Sequence, residues 1–205
     1  MRVDRLVNAE KQFLSMYPEG FRSELMEEMR KKHNFDKIVD FCHASFSKEN
    51  LKNKKMSIEN ISRFVSKSSM VSVFEKMRFR DFIKEMDDVT QFEIVDAVRE
   101  LIHTNEESGF NKLVNILGTY NLAKWPLITV YLAYYNPTKD VFVKPNTVKM
   151  ILRVLEINEV KYHSKPTYDF YVKYRKIINE MKVLVYPSLS PSNAAFSGFL
   201  MMTLQ

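Results

Sequence analysis

Apolar residues recur every three or four positions along almost the whole chain, and this spacing is the feature that most restricts its fold. It places apolar side chains on one face of an α-helix. Nowhere do apolar and polar residues alternate for long enough to indicate a β-strand. Only four glycines occur, whereas turn-rich β folds and glycine-rich nucleotide loops need more. We therefore predict an all-α fold, a compact orthogonal bundle of about ten helices.

The length of the chain favours a single domain. With 205 residues, of which 45% are hydrophobic, the chain can bury a sizeable core without dividing into two units. The most polar stretch, within residues 47–56, has the composition of an exposed loop. We predict one domain over residues 1–205, and residues 47–56 are the one place where a boundary between two lobes would fall.

Several residues indicate where helices begin. Ser57 suits the N-cap position of one helix, and Thr90 followed by Glu93 forms a capping-box pattern at the start of another. Asp87 and Asp88 also suit a helix start, where acidic residues are favoured. Pro126 suits the first turn of a helix from Trp125 to Tyr135. The last predicted helix, AAFSGFLMMTL, is apolar on all sides. We therefore expect it to lie inside the fold, and we expect residues 113–135 to form the centre with it.

The composition of the chain also indicates its surroundings. The single cysteine, Cys42, cannot form an internal disulfide, and the N-terminal residues lack the apolar run of a signal peptide. Two uncharged stretches, residues 113–123 and 183–205, are too short or too interrupted by proline, serine and asparagine to span a membrane. We predict a cytoplasmic protein with no membrane partner.

Positive charge is distributed unevenly. The formal net charge is +6, and residues 144–182 hold nine Lys or Arg against four acids, a surplus of five. The rest of the chain, with 22 basic and 21 acidic residues, is almost neutral. Attraction for an anionic partner should therefore be concentrated in residues 144–182.

Lys144 stands at a position that favours anion binding. It precedes Pro145, which holds it in an extended conformation directly before a helix. Free backbone N–H groups collect at a helix N-terminus, and a lysine beside them adds a compact positive charge. The alternative is that Lys144 pairs with a carboxylate such as Asp140 or extends into water.

Residues 161–176, KYHSKPTYDFYVKYRK, interleave aromatic and basic side chains. Aromatic rings that stack on bases, flanked by cations that contact phosphates, are typical of surfaces that bind single strands. The alternative is an amphipathic helix, because Tyr171, Tyr174 and Ile178 are spaced by three and four residues. The predicted anion-binding or nucleic-acid-binding residues are Lys144, Lys149, Lys161, Lys165, Lys173, Arg175 and Lys176.

Candidate catalytic and metal-binding groups are sparse. Cys42 and His43 are adjacent on a predicted helix, so their side chains point about 100 degrees apart and do not form a nucleophile and base. None of the four histidines has a second ligand at metal-binding spacing. We predict no catalytic residue, no metal and no cofactor. An enzyme would instead need a cavity with convergent polar groups, and its candidate lining is Trp125, Tyr131, Tyr135 and Lys144.

The phrases KWPLIT, NP and VFVKPNTVK, between Lys124 and Lys149, carry a family resemblance. Together with the closing SLSPSNAAFSGFLMMTL, they resemble a family of uncharacterised bacterial helical proteins, which share a Trp-Pro helix start and a Phe-Val-Lys-Pro segment before the next helix. The resemblance covers roughly the C-terminal half of the chain. It implies a helical fold and no particular activity.

A more remote similarity involves LGTYNLAKW followed by VFVKPNTVKMILRVLEI. These segments are similar to the helix-hairpin-helix DNA glycosylases, in which a glycine-rich hairpin precedes an apolar triplet, an Asp and a helix. Tyr120 stands where a second glycine is expected, and Lys144 or Pro145 replaces the catalytic Asp. This resemblance implies a related fold without glycosylase chemistry.

The sequence therefore predicts a protein that binds DNA, RNA or another polyanion through residues 144–182 without catalysis. One alternative is a protein-interaction or scaffold role, in which surface methionines and tyrosines form the partner site. The other is an enzyme with a degenerate DNA-glycosylase-like fold.

Overall fold

Eleven α-helices follow one another along the chain, and the computed structural model describes residues 1–204. They are α1 (Val3–Met16), α2 (Glu24–Lys32), α3 (Phe35–Ser45), α4 (Lys54–Lys67), α5 (Val73–Glu85), α6 (Asp88–His103), α7 (Glu106–Gly118), α8 (Trp125–Tyr135), α9 (Pro145–Val154), α10 (Tyr168–Lys182) and α11 (Asn193–Thr203). Short 3-10 helices lie at Gly20–Arg22, Asn50–Lys52 and Pro187–Leu189. Residues 1–204 contain no β-strand, which confirms the predicted all-α class.

Helix α8 lies at the centre of the bundle. It has no charged side chain, ten of its eleven residues are buried, and it packs against α3, α6 and α7. Pro126 occupies its first turn, where the N–H that proline lacks would have no helical partner. Buried apolar side chains from Leu6 to Leu204 form one core cluster. Leu51, from the predicted lobe boundary, belongs to that cluster.

Helices α6 and α7 approach each other closely at Gly109. A Cβ atom added to Gly109 would lie 2.1 Å from the backbone nitrogen of Leu101 and 2.6 Å from the carbonyl oxygen of Ala97. Real Cβ atoms do not come so near to other heavy atoms, so only glycine fits at this contact. The turn between the two helices is also short, because Asn105 caps α7 only two residues after α6 ends.

The predicted start of α4 is wrong by one turn, and α6 begins at the predicted Asp87 and Asp88 rather than at the Thr90 capping-box pattern. Helix α4 begins after Asn53, whose side chain accepts a hydrogen bond from the Met56 N–H, and Ser57 lies within the helix. Helix α6 begins after Asp87, whose carboxylate accepts from the Thr90 N–H at 2.7 Å. In both cases an Asn or Asp upstream of the predicted Ser or Thr is a suitable acceptor for the free N–H groups of the first turn, and the helix extends to it.

The prediction that the last helix lies wholly inside the fold is also wrong. Helix α11 buries one face, with Phe196, Phe199 and Leu200, against α1, α9 and α10. Its other face, which includes Ala195 and Gly198, borders a cavity. The composition indicated an apolar environment on all sides, whereas packing supplies protein neighbours on one face.

Candidate functional site

Lys144 is held in the extended conformation that its place before proline predicts. Its φ and ψ are −103° and 116°, and it is the N-cap residue of α9. Asp140, the carboxylate considered as its partner, pairs with Arg175 instead. Within residues 1–204 the exposed ammonium group of Lys144 forms no ion pair or hydrogen bond and is free to meet a ligand.

Three helices begin at one cavity of about 480 Å³, which we call the basic cavity. The N-cap residues of α5, α8 and α9, namely Ser72, Lys124 and Lys144, all line it. The positive ends of three helix dipoles therefore face the same space. The other lining residues are Ser69, Met70, Val71, Phe74, Glu75, Arg78, Leu122, Pro126, Pro145 and Asn146.

The three caps differ in how they meet the first turn of their helix. Ser72 forms a complete capping box with Glu75 at the start of α5. Lysine has no acceptor atom, and no side chain caps α8 or α9. Among the residues that line the basic cavity, Arg78, Lys124 and Lys144 are positively charged and Glu75 is negatively charged. The lining therefore has a surplus of two positive charges. In α8, Pro126 has no N–H and the Leu127 N–H donates to the carbonyl oxygen of Lys124. The first turn of α9 presents the Asn146 N–H beside the cations of the basic cavity, which is the arrangement that binds anions.

Two contacts bring further cations to this side of the molecule. The Trp125 Nε1–H donates to the carbonyl oxygen of His163 at 2.8 Å, which holds residues 161–165 beside the start of α8. The Nζ of Lys149 lies 5.2 Å from the centre of the Tyr162 ring. Lys149 follows Asn146 by one turn of α9 and so lies on the same helix face. We call Arg78, Lys124, Lys144, Lys149 and Lys161 the basic surface. Lys165 lies at the far end of the same segment.

The predicted cations of α10 are occupied by carboxylates. Lys173 pairs with Asp169 at 2.8 Å, and Lys176 pairs with Glu180 at 3.7 Å, each one helical turn away. Most of the cations of residues 144–182 that lack a carboxylate partner within residues 1–204 therefore lie before α10, whereas the sequence spread them over the whole segment. The exception is Lys182, at the end of α10, which donates to the carbonyl oxygen of Thr138.

Arg175 serves a buried polar network. Its Nη1 atom lies 2.6 Å from Asp140 Oδ1 and 2.8 Å from Glu106 Oε1. The Asp140 side chain is completely buried and also accepts from the Asn136 amide at 3.0 Å. Burial raises the pKa of Asp140, while the hydrogen bond and the charge of Arg175 act against that rise. Arg175 thus joins α7, α10 and the connection between α8 and α9.

The aromatic residues predicted to stack on bases belong mostly to the core. Phe170, Tyr171 and Tyr174 are buried on the inner face of α10, as the alternative of an amphipathic helix required. The exposed aromatic ring beside the basic cavity is instead Phe74, of which 69% is exposed. Its spacing of five from Phe79 was the signal that it lies on another face.

The three predicted pocket residues lie in different surroundings. Trp125 packs against Phe110 and Phe170, and Tyr131 packs against Phe46 and Phe64. Tyr135 is flanked by the rings of His43 and His103. Lys144, the fourth candidate lining residue, is the one that lines the basic cavity.

Other features bear on the chemistry that residues 1–204 can perform. No group of three or more His, Cys, Asp or Glu side chains is arranged to hold a metal ion in this part of the chain. The Cys42 thiol is buried, and burial raises its pKa. None of the described helices combines the length and the apolar character needed to cross a lipid bilayer.

Comparison with models of known protein families, with curated proteins and with solved structures finds no match to this chain. The two resemblances noted in the sequence therefore stay predictions.

Proposed function

We propose that this protein binds nucleic acid or another polyanion through the basic surface. One observation carries the proposal: Lys124 and Lys144 cap two neighbouring helices that begin at the same cavity, where residues that accept hydrogen bonds are the usual caps. A cation at a helix N-terminus opposes the helix dipole at a cost of about 0.3–1 kcal/mol. A phosphate bound between the lysines and the free N–H groups would remove that conflict.

The extent of the basic surface favours a polyanion over a single small anion. Lys149 and Lys161 lie beyond the basic cavity, and neither has a carboxylate partner in the part of the chain that the structure describes. Successive phosphates of a nucleic-acid strand can contact cations that are spread in this way. The exposed ring of Phe74 lies over the guanidinium group of Arg78 and offers a face for base stacking at the edge of the cavity.

The test is the anisotropy of a fluorescein-labelled single-stranded oligonucleotide and of its duplex, titrated with the protein at several salt concentrations. We expect affinity to fall as salt rises. The double variant Lys124→Gln/Lys144→Gln should bind more weakly and reduce the salt slope by about 1.4 for the single strand.

The matched control is Lys173→Gln/Lys176→Gln, which removes the same charge from α10, where both lysines are already paired. It should bind nearly as the unaltered protein does. Equal losses in the two double variants would mean that net charge, and not the basic surface, governs binding. Absence of binding at low salt would refute the proposal.

A protein-interaction role is the second candidate, and a separate observation favours it. After α10, the side chains of Val183, Leu184 and Tyr186 are exposed, and only the buried Val185 separates them in the chain. Exposed apolar groups that adjoin one another often mark partner sites. Sedimentation velocity over a range of concentrations tests self-association. This candidate predicts a dimer that the Leu184→Asp variant abolishes, and a monomer at all concentrations would count against a second copy as the partner.

A further inference from the structure

A second and larger cavity, of about 660 Å³, lies between the 3-10 helix Gly20–Arg22, α2, α3, α9 and α11. Five methionines contribute to its walls, so we call it the methionine cavity. The apolar lining consists mainly of Phe21, Met26, Met29, Phe35, Val39, Met70, Phe142, Met201 and Met202. Its volume is within the range of sites that enclose small organic ligands. Methionine side chains are flexible and polarizable, so such walls adapt to apolar ligands of different shape.

One polar group in this lining has no partner. Ser188 is only 6% exposed, and its hydroxyl group forms no hydrogen bond within residues 1–204. A buried hydroxyl without a partner costs about 1–3 kcal/mol, so such groups are rare in folded proteins. Ser188 packs directly on Gly20, since a Cβ atom there would meet its Oγ at 2.2 Å. Ser188 therefore lies at the end of the cavity that the 3-10 helix containing Arg22 forms.

The charges around the methionine cavity leave a surplus of one positive charge. Three cations, Arg22, Arg30 and Lys144, and two acids, Glu27 and Asp36, line it. Arg30 and Asp36 pair with each other at 2.5 Å. The charged residues left after this pair are Arg22, Lys144 and Glu27, and none of these three forms an ion pair within residues 1–204. The lining therefore has one unbalanced positive charge, which a ligand with a single negative charge would balance.

We propose that the methionine cavity binds an amphipathic carboxylate, that is, an apolar chain with a single anionic head. The apolar chain of the ligand lies between α2, α3 and the open face of α11. The head lies at the end formed by Arg22 and Ser188, where the arginine supplies the charge. The Ser188 hydroxyl, which faces Gly20 without a ligand, turns toward the head and donates its unused proton. A polyanion does not fit this cavity, because its walls are apolar and its charge surplus is one.

Decanoate is the first probe, and decanol and decylamine have the same chain with a neutral and a positive head. Each is used to displace the fluorescent amphipathic anion anilinonaphthalene sulfonate from the folded protein. We expect decanoate to bind more tightly than decanol by roughly tenfold, since hydrogen bonds to a charged group are worth more than neutral ones. Decylamine should bind most weakly. Equal binding of decanoate and decylamine would overturn the proposal.

Two polar substitutions test the position of the head group. Ser188→Ala and Arg22→Gln should each weaken decanoate binding by roughly tenfold while leaving the affinity for decanol almost unchanged. If either residue had a merely structural role, its substitution would lower the affinities for decanoate and decanol alike, and that result would refute the assignment. Neither residue belongs to the basic surface, so oligonucleotide binding should not change in these variants.

A matched pair of glycine substitutions tests the position of the ligand's apolar chain. A Cβ atom at Gly198 on α11 would meet only Phe21 Cζ, at 4.0 Å, so Gly198→Leu should project into the cavity and block decanoate. The control is Gly118→Leu on α7, where a Cβ atom would meet only Ala123 at 4.0 Å, outside the cavity lining. It should retain binding. Unchanged decanoate binding in Gly198→Leu, or equal loss in both variants, would overturn the proposal.

Discussion

Replacement of Arg175 by methionine should remove the charge partner of Asp140 and leave that carboxylate buried. The pair is joined at 2.6 Å, and the Asp140 side chain has no exposed surface. Removal of one partner from a buried ion pair typically costs about 3–5 kcal/mol, because the remaining charge is no longer compensated. Arg175→Met should therefore lower the free energy of unfolding at pH 8 by about 3 kcal/mol.

The loss should depend on pH, and the sign follows from the pKa of Asp140. Burial already raises this pKa, and Arg175, followed by Asn136, holds the rise in check, while Glu106 adds to it. Without Arg175 the pKa of folded Asp140 rises further. A carboxyl group whose pKa is higher in the folded state favours folding when protonated, and this contribution is lost as pH rises through the folded pKa. The variant should thus be closer to the unaltered protein at pH 5 than at pH 8.

Urea unfolding followed by circular dichroism at pH 5 and pH 8 measures both effects. Arg175→Met/Asp140→Asn should recover part of the stability, because no charge then remains at position 140. The control Lys173→Met breaks an exposed pair with Asp169 and should cost less than about 0.5 kcal/mol. A loss below about 1 kcal/mol for Arg175→Met, or an equal loss at both pH values, would show that Asp140 does not depend on Arg175 for charge compensation.

Two further predictions concern packing. Gly109→Ala should lower the free energy of unfolding by at least about 2 kcal/mol, because the new Cβ atom would overlap the α6 backbone, whereas Gly118→Ala on the same helix should raise it by up to about 1 kcal/mol. Thermal unfolding of the two variants checks this, and similar melting temperatures would contradict it. The Cys42 thiol should react with Ellman's reagent only in denaturant, because it is buried and burial raises its pKa; rapid reaction of the folded protein would be the opposite result.

The sequence alone established the helical class and the local conformation of single residues. The suitability of Pro126 for a first turn predicted α8 with its correct ends, and the position of Lys144 before proline predicted its extended backbone. Both properties arise from interactions within a few residues along the chain. The start of α4 at Asn53 was missed by one turn, although it too is local, because several neighbouring residues can serve as a cap.

Only the tertiary structure decided which charges remain free and which apolar faces stay open. Arg175 meets Asp140, 35 residues away, and Glu106, 69 residues away, while Lys144 has no partner among residues 1–204. Lys124 reaches the same cavity as Lys144 because α8 and α9 begin side by side. Charge pairing and cavity formation depend on which helices become neighbours, and the spacing of residues within one helix carries no information about the helix that packs beside it.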